Sequence, residues 1–283
     1  MVNINGMKDM TVMERLKQLM CDEKMEVLFV TEAHLSREKQ KTLEKVFSGW
    51  DVFVRGRKKK KNKQYHQRGG VVCIAEKGVV SAEKECVCDD ILCVKWRGLC
   101  VVCAYFVPAT SPFQKRNQKR MVELQQRVLE YGAQRTLVLT DANAWIGEEP
   151  SVIDRGLEHE ERVYPRSSVK PESNTQGEWF LSSMNSVNLV VLNGLKSIAE
   201  HTFDHPGRDA KSVVDFIAGG CEMLERMSDV FYTDCREGLC TDHVLIGVEV
   251  WGWKKRLEQR SKNRKGLWSS SKQSQGATRF GKL

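Results

Sequence analysis

A carboxylate and an amide two residues apart, Asp141 and Asn143, close the apolar run in LVLTDANAWIG, residues 137 to 147. Side chains at i and i+2 point the same way while strand geometry persists. A carboxylate that handles a proton beside an amide that holds an oxygen is half a site for hydrolysing a phosphate ester. The same pair also suits a plain Asx-turn, so its meaning depends on what other segments bring to it. Several apolar runs do carry polar groups at their ends. VLFVTE closes on Glu32, CVVCAYFVP carries Tyr105 before Pro108, SVVDFI holds Asp215, and CTDHVLIGVEV opens on Asp242 and His243. Open α/β sheets collect ligands where strands end. Asp215 and His243 form a natural pair, the carboxylate fixing the imidazole tautomer and supporting its charged form.

The elements that must position these residues follow from apolar spacing. Thr11 and Glu14 have capping-box spacing, with Val12, Leu16, Leu19 and Met20 at helical intervals, which predicts a helix over residues 12 to 25. VLFVTE is a buried strand, and Ser36 to Val46 is a second helix. DVFV and GVVCIA make a long-looped hairpin around a basic insert, and residues 91 to 106 give two strands hinged at Arg97-Gly98. Phe113 to Tyr131 is a helix with Val122, Leu124, Val128 and Leu129 as inward candidates, and with Lys115, Arg116, Lys119 and Arg120 crowding its first half against the helix dipole. After TDANAWIG an irregular loop, residues 148 to 173, leads to a helix entered through Asn174 and Gly177 and then to the strand LVVLN. HTFDHPGRDAKSVVDFI gives two strands joined near Pro206-Gly207. The strand ahead of Asn3 is nearly absent, which would leave a central sheet edge unpaired and Asn3 poorly held.

At 283 residues the chain can bury a sizeable core, as one large α/β domain or two. No apolar run is long enough to span a membrane and no secretory signal opens the chain, so an intracellular protein without a membrane partner is expected. The ten cysteines include Cys73, Cys93, Cys100 and Cys103 inside strand-like runs, which reads as reduced core. Cys100 and Cys103 are formally a CxxC, with Cys86, Cys88 and Cys93 nearby. A strand turns positions i and i+3 to opposite faces, which argues against a zinc knuckle. The net charge of +8 is concentrated in the last 33 residues, which hold ten Lys/Arg and one Glu. Residues 252 to 283 are therefore expected to be a basic, disordered tail beyond a domain of residues 1 to 251. The other basic run, Arg55 to Lys63, has seven cations in nine residues. It fits a solvated loop, a DNA contact or a nuclear-import signal.

In order and wording, these motifs resemble the endonuclease/exonuclease/phosphatase superfamily. RGGVVCIA, YFVPA, TDANAWIG, NTQGEWFLSSMNSVNLVVLNG and TDHVLI are most similar to the endonuclease domain of LINE-type (non-LTR) retrotransposons, over about Val2 to Val250. The resemblance implies a four-layer α/β sandwich, two packed mixed β-sheets flanked by helices, with a truncated first strand. It also implies a monomeric nuclear Mg²⁺-dependent DNA endonuclease, with Mn²⁺ as an alternative ion and no small-molecule cofactor, leaving a 3′-hydroxyl and a 5′-phosphate. Carried over residue by residue, it assigns Glu32, Asn5 and Asp242 to the metal. Asp141, His243, Asp215 and Tyr105 become catalytic, and Asn143, Asn3 and Thr202 are placed on phosphate oxygens. Thr140, Ala142, Phe216, Thr241 and Asn5 depart mildly from the family wording. Two other readings are a phosphatase or phosphodiesterase of the same superfamily, and an inactive retroelement-derived nucleic-acid-binding or interaction protein. The short first strand and the lack of a following polymerase would suit the latter.

Overall fold

The computed structural model describes residues 1–56, 69–82, 86, 88–154, 161–207 and 209–251. Arg57 to Lys63 of the basic insert and the basic tail lie outside the described residues.

In chain order the elements begin with β1 (Val2–Asn3), α1 (Met10–Asp22), β2 (Val27–Thr31), α2 (Arg37–Val46), β3 (Trp50–Arg55) and β4 (Val71–Glu76). They continue with β5 (Val80–Ala82), β6 (Ile91–Trp96), β7 (Leu99–Tyr105), α3 (Lys115–Tyr131) and β8 (Thr136–Asp141). Next come β9 (Ser151–Asp154), β10 (Glu161–Tyr164), α4 (Thr175–Asn185), β11 (Leu189–Val191), β12 (Phe203–Asp204) and β13 (Lys211–Ser212). The last are β14 (Asp215–Gly220), β15 (Phe231–Thr233), α5 (Arg236–Leu239) and β16 (Leu245–Gly247).

Two mixed sheets dominate, ordered β1-β2-β4-β3 and β11-β14-β8-β7-β6-β5. Strand alternation sends each strand's side chains to two different cores. One core lies between the sheets, joining Phe29, Cys73 and Ala75 of the first to Val101, Cys103, Leu139 and Ile217 of the second. On the far side of the first sheet, Leu28, Val30, Val72 and Ile74 pack with Leu16 and Met20 of α1 and Leu43 of α2. Beyond the second sheet, Val102, Val138 and Phe216 pack with Leu124 and Val128 of α3 and Phe180 and Met184 of α4. The molecule is therefore the expected helix–sheet–sheet–helix sandwich. Cys100 belongs to the outer core and Cys103 to the inner one, so the strand does separate the CxxC thiols, and none of the ten cysteines is in a disulfide.

Three local expectations change. The first helix is capped by Asp9, whose Oδ1 accepts from the Val12 amide at 3.1 Å, and it starts at Met10. Asp9 is the better N-cap because its carboxylate also opposes the positive helix end, which a Thr11 hydroxyl cannot do. In α3 Leu124 and Val128 are buried, but Val122 and Leu129 are exposed at 48% and 72%. Polar Asn117, Arg120 and Glu123 take the inward face instead, for reasons given below. The first strand, although two residues long, is not loose. Val2 and Asn3 pair in parallel with Val30 and Thr31, while Met1 exchanges backbone hydrogen bonds with Ile246, its nitrogen donating at 2.5 Å and its oxygen accepting at 2.9 Å. Beside Met1 a cavity of about 610 Å³ is lined by Val27, Phe29, Leu245 and Val248 among others.

Candidate active site

Strand register brings the acidic groups together. Asp215 opens β14 directly opposite Asp141, the last residue of β8, and Tyr105 ends β7 on the other side of Asp141. His243 precedes β16 and bridges to Phe203, so the β12–β13 hairpin carries the histidine to the same sheet end. Its Nδ1 meets Asp215 Oδ2 at 2.8 Å, and the Phe203 ring lies 4.8 Å from the imidazole centroid. Asp141, Asp215 and His243 are all buried, and each offers an atom within 4.8 Å of the other two.

Asp141 is held from both sides. Its Oδ2 accepts from Asn3 Nδ2 at 2.7 Å, and its Oδ1 accepts from the Asn143 amide nitrogen at 3.1 Å and from Asn143 Nδ2 at 2.9 Å. The same Nδ2 donates to Phe106 O at 2.9 Å, so both Asn143 protons are engaged. Asn143 has φ +46°, a left-handed conformation in which asparagine is among the best-tolerated residues. Asn3 is buried, contrary to the expectation that a short first strand would hold it poorly; its Oδ1 also accepts from the Asn5 amide at 2.9 Å. Two paired residues suffice because β2 on one side and Met1–Ile246 on the other fix the backbone at the site end.

Glu32 follows β2 half-buried, with Asn3 Nδ2 at 3.4 Å, and its charge bears on the Tyr105 hydroxyl. Asp242 is half-buried, its Oδ1 4.0 Å from His243 Nε2. Asn5 is exposed, and Thr202 is fully buried. Thr202 Oγ1 accepts from the amides of Val214 at 2.9 Å and Asp215 at 3.1 Å, which makes it a bracket for the Asp215 backbone.

No family model matches the chain, and no curated protein does. Solved structures do. The endonuclease domain of TRAS1, a telomere-specific non-LTR retrotransposon, matches with TM-score 0.60 and 16% identity over 88% of this chain and 95% of that one. A 3′-5′ exonuclease, NExo, from Neisseria meningitidis gives 0.64 and 18% over 88% and 98%, and an AP endonuclease from Archaeoglobus fulgidus 0.63 and 15% over 88% and 97%. The chain has the endonuclease/exonuclease/phosphatase fold. At these identities the likeness is one of fold, and the chemistry has to come from the residues.

Within that fold the buried cluster is electrostatically tense. Burial, reinforced by Asp215, pushes the Asp141 carboxyl well above the ordinary range, against the opposing pull of His243. Burial also works against the charged form of His243, but the charge of Asp215 and its hydrogen bond outweigh it and lift the imidazole to about 9. Tyr105 is pushed far up by burial and by Glu32, so it stays a hydroxyl and a donor. Asp215 Oδ1 is buried and accepts no hydrogen bond.

Other positioning residues carry no legible motif. Asn193, fully buried just after β11, donates to Asp215 O at 3.2 Å and accepts from the Ile217 amide at 2.9 Å. Gln176 Nε2 donates to Ala142 O at 2.8 Å, supporting the turn between Asp141 and Asn143. Asn193 follows an apolar run and precedes Gly194, and Gln176 sits in the first turn of α4, positions from which no chemical role could be read.

Proposed function

We propose that this chain is a divalent-metal-dependent DNA endonuclease that hydrolyses a phosphodiester bond to leave a 3′-hydroxyl and a 5′-phosphate. The observation that carries this reading is the convergence of Asp141, Asp215 and His243 within 4.8 Å at one sheet end, beside Asn3, Glu32 and Tyr105. The structural neighbours, an endonuclease domain, an exonuclease and an AP endonuclease, agree with it.

The donor set fits a hard cation. It is built of carboxylate and amide oxygens, and beside it lies a buried carboxylate oxygen, Asp215 Oδ1, with no hydrogen-bond partner among the described residues. Glu32 and Asp242, on segments that both hydrogen-bond to Asn3, would hold Mg²⁺ or Mn²⁺ with Asn5 at the rim. Such an ion would supply charge stabilisation to the phosphate and the departing oxygen.

The protein's own part divides by proton affinity. Asp141, with a raised pKa and both oxygens fixed by amides, is suited to accept a proton from an attacking water. The Asp215–His243 pair keeps a cationic imidazole facing the phosphate at neutral pH. Tyr105 adds a hydroxyl donor to the same charge. Asn3 and Asn143 act through Asp141, holding its carboxylate in one orientation. The enzyme would act as a monomer on nuclear DNA. Purified protein should nick supercoiled plasmid with Mg²⁺ or Mn²⁺ but not with EDTA, and His243→Ala should remove the activity. Equal nicking by that variant would overturn the assignment.

A further inference from the structure

The cations at the start of α3 have no role in the site just described, yet the structure leaves them conspicuous. Lys115, Arg116 and Lys119 are all exposed, and none has a carboxylate partner among the described residues. The first turn of α3 holds no acidic residue and no side-chain cap. Positive charge is unfavourable at that end of a helix, and a bound anion would relieve it.

The opposite face of the same turn is tied to the site. Asn117 Oδ1 accepts from the Val107 amide at 3.0 Å, and its Nδ2 donates to Val107 O at 2.8 Å. Val107 adjoins Phe106, whose nitrogen donates to Asp141 O at 2.9 Å and whose oxygen accepts from Asn143. Arg120 forms a buried ion pair with Asp90, whose backbone oxygen accepts from the Tyr105 amide at 3.0 Å. The helix start is thus clamped to the strand ends that carry Tyr105, Asp141 and Asn143, while its cations project outward. Phe113, 39% exposed with Arg116 over its ring at 4.7 Å to the centroid, extends this surface. α2, in the outer layer on the other side of the molecule, carries exposed Arg37, Lys41 and Lys45 with Glu38 in its first turn, and it is Lys39, not these three, that reaches the site end, its Nζ donating to Met7 O at 2.7 Å.

We infer that Lys115, Arg116 and Lys119 form a DNA-backbone track that holds the duplex flanking the scissile phosphate. This rests on the endonuclease reading and adds the surface that engages the substrate. Contacts to backbone phosphates are independent of sequence and release counterions.

The test is equilibrium binding of a short fluorescent duplex by anisotropy, in EDTA so that no cleavage intervenes, over a series of salt concentrations. Wild type is compared with Lys115→Gln/Arg116→Gln/Lys119→Gln and with the α2 control Arg37→Gln/Lys41→Gln/Lys45→Gln. The α3 variant should weaken binding and flatten the log–log salt slope by about 2–3, at roughly 0.9 per lost phosphate contact. The α2 control should keep the wild-type slope and nicking rate. The α3 variant should melt no lower than wild type, because it removes cations from the positive helix end. A wild-type slope in the α3 variant, or an equal fall in the α2 control, would overturn the inference. A wild type that does not bind the duplex at all would instead overturn the endonuclease reading beneath it.

Discussion

Two buried ion pairs lie at the same end of the second sheet, and they are built on opposite principles. Asp90 and Arg120 are 0% and 2% exposed, and their polar capacity is put to use. Asp90 Oδ1 accepts from the Gly70 amide at 2.7 Å, Oδ2 pairs with Arg120, and Arg120 Nη1 donates to Asn117 at 3.0 Å. Through Gly70 the pair also braces the segment after β2, because Gly70 O accepts from the Ala33 amide at 3.1 Å, next to Glu32. Asp215 and His243 are as well buried, but there one carboxylate oxygen is left unsatisfied and a second carboxylate, Asp141, is crowded against the first. A satisfied buried pair locks a scaffold in place, whereas an unsatisfied one keeps interaction energy for a ligand or a transition state. That contrast, more than burial or charge alone, marks which of the two pairs is placed to do chemistry.

The largest effect should come from breaking the unsatisfied pair. His243→Ala should lower plasmid nicking by about a thousandfold or more, within the range for loss of a positioned acid–base group. Circular dichroism should still report a folded protein. Arg120→Met should do the reverse. Removing the buried cation that pairs with Asp90 should cost about 3–5 kcal/mol in urea unfolding, and Asp90→Asn added to it should recover part of that loss. If Arg120→Met instead abolished nicking with unchanged stability, the two pairs would not differ as described.

The pH profile sharpens the comparison further. Nicking should rise with pH as Asp141 loses its proton and fall again above about 9 as His243 loses its own. In Asp215→Asn the upper limb should move down towards the ordinary histidine value, roughly 6.5. An unmoved limb in single-turnover rates would show that His243 does not act as a cation. The smallest effect tests Thr202. Thr202→Val, which strands the amides of Val214 and Asp215, should lose about 1–3 kcal/mol of stability, whereas Thr202→Ser should keep nearly all of it.

How much of this the sequence could disclose depended on the range of the interactions involved. Apolar alternation is a local property, so the strands ending at Glu32, Tyr105 and Asp141 were legible, as were the helices capped by Ser36 and Asn174. The opposed faces of Cys100 and Cys103 followed from the same two-residue repeat. Polar residues at several strand ends named the candidate site, because their recurrence is harder to account for by turns than any one of them. What could not be read was anything set by partners distant in sequence. Whether two residues of β1 could hold Asn3 was decided by β2 and by Ile246, 245 positions from Met1. Val122 and Leu129 lost the inward face of α3 to Asn117, Arg120 and Glu123 because their partners, Val107, Asp90 and the Cys88 amide, exist only once the second sheet is folded. Thr202 had the spacing to face a phosphate, but the tertiary fold turned its hydroxyl onto the backbone of Asp215. Periodicity fixes which residues share a face of their own element. Which polar groups meet across elements, and which are left unsatisfied, is settled only when the sheets pack.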